Sequence, residues 1–159
     1  MHNASCIAGL AFTNAFLGVN HSLAHILGNR FGLPHGRANA VLLPHVIEYN
    51  ASRPTKFASF PNYERFIADE KYARIAAAIG VAGAGVAESV ANLIAAVREL
   101  LETVGVPGSI KDLGVEREAF MLQVLDMAYI AFDDQCTGAN PRYPLVRELE
   151  GIYRRAYGE

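Results

Sequence analysis

Residues 20–37 read NHSLAHILGNRFGLPHGR and carry three of the chain's five histidines: His21, His25 and His35. His21 and His25 are four positions apart, so on a helix they share one face, one above the other. The Gly32-Leu33-Pro34 step behind them must end that helix and turn the chain, because proline fixes its own φ and pushes its predecessor out of the helical region. Pro34 sets the approach to His35, and Gly36 beside it gives the backbone freedom. The spacing therefore predicts a helix carrying His21 and His25, a tight turn, and His35 returned beside them. Three imidazoles converging in this way suit a first-row divalent metal. The plainer alternative is a satisfied histidine pair on a half-buried face. HSLAH lacks the glutamate of H-E-x-x-H, so no general base of the zinc-protease kind is present.

The rest of the chain reads as a frame for this stretch. Its 159 residues suit one domain with a substantial core. Hydrophobic residues make up 52% of it, and abundant alanine favours helix. A net charge of −2 with no basic stripe argues against a nucleic-acid surface. Two cysteines, Cys6 and Cys136, form no disulfide framework, which fits a reducing cytoplasm. No signal peptide is visible, and no apolar run reaches the ~18 residues that would span a bilayer. The chain opens on Met1-His2-Asn3-Ala4-Ser5 and runs at once into an apolar segment, which reads as a fragment whose upstream half is absent.

Upstream of the histidines, Asn3 or Ser5 is a candidate cap. Ile7, Leu10, Ala11, Ala15, Phe16 and Leu17 then cover more than one helical face, which predicts a central helix surrounded by others. It is expected to continue to about residue 29, bent near Gly18. Downstream, residues 37–50 read as a second helix with Ala38, Val41, Leu42, His45, Val46 and Tyr49 at helical spacing. Pro44 should kink it or remove one hydrogen bond, and His45 reads as a hydrogen-bonded core histidine. Residues 51–70 are loop-like, with Phe57, Phe60 and Tyr63 to pin them down. A short helix follows over 71–79, with Tyr72, Ile75, Ala76 and Ile79 inward, ended by Gly80.

Residues 81–85 read as a linker. They are not a phosphate loop, having no preceding strand and no lysine–serine pair. Residues 88–104 form the clearest amphipathic pattern, with Val90, Leu93, Ile94, Val97, Leu101 and Val104 inward. Ile110 and Leu113 anchor the next turn, and 116–132 is a further helix, acidic at its start as the helix dipole prefers. The polar loop 133–144 is long for a compact helical domain, and such loops commonly carry function. In it, Asn140, Pro141 and Arg142 either shape a site wall or stabilise the loop, and Cys136 is a free thiol with no catalytic task. A last helix runs through Leu145, Leu149, Ile152 and Tyr153. No strand, repeat or low-complexity tract is visible, so the fold class is all-α.

GVNHSLAHILG (18–28), LPHGRANAVLLPHVIEYNA (33–51) and FDDQCTGANPRYP (132–144) together resemble the C-terminal helical domain of the iron-dependent (group III) alcohol dehydrogenases. The likeness is nearest to the alcohol dehydrogenase half of the bifunctional aldehyde–alcohol dehydrogenases, and it extends over the whole chain. It implies a multi-helix domain of the dehydroquinate synthase-like type. It also implies two iron ligands here, His21 and His35, while His25 lies near the nicotinamide and the substrate, in proton movement or positioning. The family's other two ligands, an aspartate and a histidine, lie upstream of the matching region, as does its Gly-rich pyrophosphate loop.

The implied activity is a metal-dependent (iron, or alternatively zinc), NAD-linked interconversion of a small alcohol and its aldehyde. It would need the nucleotide-binding half as partner, and a homo-oligomer is expected. A competing reading is an all-helical assembly or scaffold domain without chemistry. A third is a stand-alone metal binder using His21, His35 and a neighbour's carboxylate. The metal readings share one geometric requirement, that Nε2 of His21 and Nε2 of His35 reach one cation.

Overall fold

The computed structural model describes residues 1–55 and 64–159. Among them there are seven α-helices and no strand: α1 (His2–Ala15), α2 (Val19–Phe31), α3 (His35–Ala51), α4 (Ala68–Ala78), α5 (Val86–Thr103), α6 (Arg117–Asp133) and α7 (Val146–Tyr157). The all-α expectation holds. The expected anchors Phe57, Phe60 and Tyr63 lie outside the described residues.

Two packed groups make the core. The larger joins α2, α3, α6 and α7 around Leu23, Leu27, Leu42, Phe120, Met127 and Tyr153. Phe120 stacks on Tyr157 with ring centroids 4.5 Å apart and meets Tyr153 edge-on at 6.4 Å, both favoured aromatic geometries. The two tyrosines bury their hydroxyls without penalty, Tyr153 donating to the Leu23 carbonyl at 2.7 Å and Tyr157 to that of Val115 at 3.1 Å. The smaller group packs Ile47 of α3 against Ala76 of α4 and Val90 and Leu93 of α5. Ile110 is fully buried and ties its N–H to the Ala156 carbonyl at 2.8 Å, which fixes the α5–α6 connection as expected.

Several expectations need correction. The apolar segment before the histidines is not a central helix, because α1 buries no residue and no described helix covers it. It is also not continuous with the histidine helix. The chain breaks at Phe16, whose φ of 60° lies where L side chains rarely go, and restarts from Gly18 in extended conformation. Val104, expected inward, is 61% exposed, because α5 has ended before it. Ile75 and Ile79, also expected inward, are exposed, while Ala76 alone of the set Tyr72, Ile75, Ala76 and Ile79 is fully buried. Pro44 sits buried inside α3, which continues through it as one helix.

Candidate metal centre

The turn that decides the site follows its sequence. Gly32 takes φ 65° and its N–H returns to the Gly28 carbonyl, closing α2 with a left-handed cap. Leu33 N–H also bonds Gly28 O at 3.1 Å, and Pro34 opens α3 directly at His35. This places His35 back over the face that carries His21 and His25. The His21 and His35 rings lie 5.2 Å apart, as do those of His25 and His35, while His21 and His25 are 6.0 Å apart. One ring nitrogen from each falls within 4.8 Å of the others.

The three imidazoles differ in what holds them. His21 Nδ1 is buried and has no hydrogen-bond partner among the described residues. Burial lowers the His21 pKa, helped by the facing His35 and His25 and opposed by Asp134, so the ring is held neutral with a lone pair available. His35 Nε2 lies 3.0 Å from Asn39 Nδ2, whose carbonyl oxygen in turn accepts from Asn20 at 2.8 Å. For His35 to offer Nε2 to a cation, Asn39 must turn aside. His25 Nδ1 lies 3.0 Å from Asp134 Oδ2. A converging set of imidazoles with one orphaned buried nitrogen fits a first-row divalent cation.

Sequence reasoning passed over the acid behind His25. Asp134 caps the C-terminal end of α6, and its Oδ1 accepts from Ser22 Oγ at 3.1 Å and from Cys136 N–H at 2.8 Å. Burial pushes the Asp134 carboxyl up, but the hydrogen bonds from Cys136, His25 and Ser22 outweigh it and hold it below the ordinary carboxylate range. Two acidic residues at the start of a polar loop were the available signal. Cys136 forms no disulfide and is buried, and burial, followed by its hydrogen bond to Asp134 and the Asp134 charge, pushes its thiol up to about 11, which keeps it an unreactive thiol.

The motif Asn140-Pro141-Arg142 stabilises the loop and, through it, the site. Asn140 Oδ1 accepts the first N–H of α2, Val19, at 3.2 Å, and its amide donates to Asn50 Oδ1 at 2.8 Å. Arg142 donates to the carbonyls of Tyr49 and Ser52, both at 3.0 Å, pairs with Glu148 at 2.8 Å and lies over the Tyr49 ring at 4.2 Å. The loop thus ties the start of the histidine helix to the end of α3 and to α7. His45 lies elsewhere, in a groove of about 550 Å³ shared with Arg98 and lined by none of the three site histidines. The N–H groups of Gly83 and Ala84 are taken by Ser89 Oγ and Glu88 Oε2, which leaves those two unavailable to a phosphate.

A profile described as the Fe-containing alcohol dehydrogenase family, C-terminal, matches residues 1–157. The chain belongs to that family. It is 48% identical over 160 residues to the bifunctional aldehyde-alcohol dehydrogenase of Escherichia coli K12, covering 99% of this chain and 18% of that protein. An aldehyde-alcohol dehydrogenase of Streptococcus pneumoniae strain D39 is 45% identical over 157 residues, again 99% of this chain and 18% of the other. Among solved structures, an iron-containing alcohol dehydrogenase from Thermococcus thioreducens superposes with TM-score 0.82 at 36% identity, covering 99% of this chain and 36% of that one. The chain therefore spans about a fifth of the length of these curated relatives and about a third of that of the solved neighbour.

Proposed function

We propose that this chain is the C-terminal helical part of an iron-dependent, NAD-linked alcohol dehydrogenase of the cytoplasm, one that interconverts a short-chain alcohol and its aldehyde. His21 and His35 are two of the metal's ligands in this reading, and His25 lines the pocket where substrate and nicotinamide meet. The observation that carries it is the meeting of three imidazoles within 5.2–6.0 Å in a member of an iron-containing family. Fe(II) is the metal proposed, with Zn(II) the alternative because it takes the same donors.

When bound, the metal supplies Lewis acidity toward the alcohol oxygen and the nicotinamide supplies the hydride acceptor. The chain's own residues do the rest. His21, held neutral by burial, keeps a lone pair free for coordination. His35, brought back by the Gly32–Pro34 turn, closes the donor set. His25 is the group placed to take up or return the hydroxyl proton. The partner is a nucleotide-binding half that brings the pyrophosphate loop and the two further ligands, an aspartate and a histidine.

An assay separates the possibilities. The chain alone, given ferrous ion, NAD and ethanol, is expected to show no turnover. Joined to a nucleotide-binding half it should turn over alcohol and retain metal, and a His35→Ala variant should lose both. Turnover by the chain alone, or unchanged metal content in His35→Ala, overturns the reading.

A further inference from the structure

The pair His25–Asp134 carries more than a contact. Ser22 and His25 are three positions apart on α2, so they face the same way. Asp134, extended at φ −65° and ψ 138° just past the end of α6, meets both. Its two oxygens are not equivalent. Oδ1 takes Cys136 N–H at 2.8 Å and Ser22 Oγ at 3.1 Å, Oδ2 faces His25 Nδ1 at 3.0 Å, and the Cys136 thiol also hydrogen-bonds the carboxylate. Behind them Thr137 Oγ1 lies 2.8 Å from Ser22 Oγ and 2.6 Å from the Ala131 carbonyl, which braces the serine from the α6 side. The carboxylate is thus fixed from two elements, and its orientation is set by a backbone N–H that cannot rotate away.

We infer that Asp134 is a positioning residue: it holds His25 in the tautomer protonated on Nδ1 and so leaves Nε2 as the unprotonated nitrogen that accepts the alcohol proton. An ionised carboxylate can only accept hydrogen bonds. A 3.0 Å contact with Nδ1 therefore requires the proton on that nitrogen, and neutral imidazole carries only one. Nε2, directed away from the carboxylate, is hydrogen-bonded by no described residue. Proton transfer then breaks the alcohol O–H bond and forms an Nε2–H bond, and the ionised Asp134 stabilises the imidazolium that results. The same contact engages Nδ1 of His25 and leaves Nε2 as its one available nitrogen. The inference rests on the reading of His25 as the pocket histidine proposed above.

The test is spectroscopic and uses the 159-residue chain without metal or nucleotide. Two-bond 1H–15N correlation spectra of the histidine-labelled protein report which ring nitrogen is protonated. They are recorded about two pH units above the ordinary imidazole value of about 6.5, and the His25 signals are assigned by their loss in His25→Gln. Wild-type His25 is expected to carry its proton on Nδ1. Asp134→Asn is nearly isosteric, and the two donors at Oδ1 keep the amide oxygen on their side. Its NH2 then faces His25 Nδ1, and the tautomer should invert to Nε2–H, while the His21 and His35 patterns stay as they were.

A wild-type His25 protonated on Nε2, or on both nitrogens, overturns the inference. So does a folded Asp134→Asn variant that still shows Nδ1–H. If that variant fails to fold, the wild-type spectrum decides alone. Because no metal or nicotinamide is in the sample, a wrong tautomer removes this inference and leaves the dehydrogenase reading standing. The expected tautomer together with unchanged metal content in His35→Ala does the reverse.

Discussion

At the scale of single residues, the histidines show how one side-chain type is assigned different tasks by its surroundings. The sequence reads His45 as a hydrogen-bonded core histidine; in the structure it is half-buried on α3, and the two arginines that act on it lie far off in sequence. Burial lowers its pKa, and Arg98 of α5 and Arg155 of α7 lower it further, against a smaller opposing effect of Glu48. The consequence for stability has a definite sign. With the folded value below the unfolded one, the unfolded chain takes up the proton first as pH falls below about 6.5, so stability drops there and is regained on raising the pH. The His45→Gln variant should lose part of that dependence. Urea midpoints measured between about pH 7 and pH 5 should fall less steeply in the variant, by at most ~1.4 kcal/mol per pH unit for one proton. A steeper fall in the variant would show that His45 is stabilised as imidazolium instead. A second residue-scale expectation concerns Phe120, fully buried between Tyr153 and Tyr157. Phe120→Ala should cost about 3–5 kcal/mol, read as a lowered denaturation midpoint.

At the scale of elements, the site depends on where α2 begins. Gly18 sits so close to Asn140 that a Cβ there would lie 2.8 Å from Asn140 Oδ1. That oxygen cannot simply retreat, since it accepts Val19 N–H at 3.2 Å while the same amide holds Asn50 at 2.8 Å. Gly18→Ala is therefore expected to destabilise the chain by about 1–3 kcal/mol, as overpacking does. Asn140→Ala should cost about 2 kcal/mol, by removing the cap of α2 and stranding Asn50. Thermal denaturation followed by helical circular dichroism checks both, and an unchanged midpoint in either would mean that the loop does not hold α2. These contacts also mark where sequence reading stops. The helix–turn–helix carrying His21, His25 and His35 was legible because 3.6-residue periodicity and Gly-Leu-Pro punctuation are local signals. The roles of Asp134 and Asn140 were not, because each acts on a residue more than 100 positions away, His25 and Val19. Nothing in the spacing of the polar loop says which of its side chains turns inward.

At the scale of the whole molecule, the failure of one sequence expectation has a consequence. The apolar pattern of α1 predicted a helix enclosed by others, and the helix forms, but its apolar side chains face outward: Ile7 is 66% exposed and Leu10 64%. The pattern encodes a burial that this chain by itself does not supply. On α6, Leu122, at 86% exposed, continues through Leu125 and Tyr129 as a second apolar stripe at helical spacing. Contiguous exposed apolar surface is covered by association where a partner is within reach. The chain in isolation is therefore expected to sediment and elute as dimers or larger species, with the apparent mass rising with concentration. Because the α1 side chains contribute nothing to the core, Ile7→Glu combined with Leu10→Glu should shift the population toward monomer while helicity and the denaturation midpoint stay within about 0.5 kcal/mol of the parent. The same charges should weaken docking of the proposed nucleotide-binding half if α1 is the face it covers. A parent chain that stays monomeric at high concentration would mean that α1 folds back onto the domain in solution, and Ile7→Glu would then cost stability like any core charge.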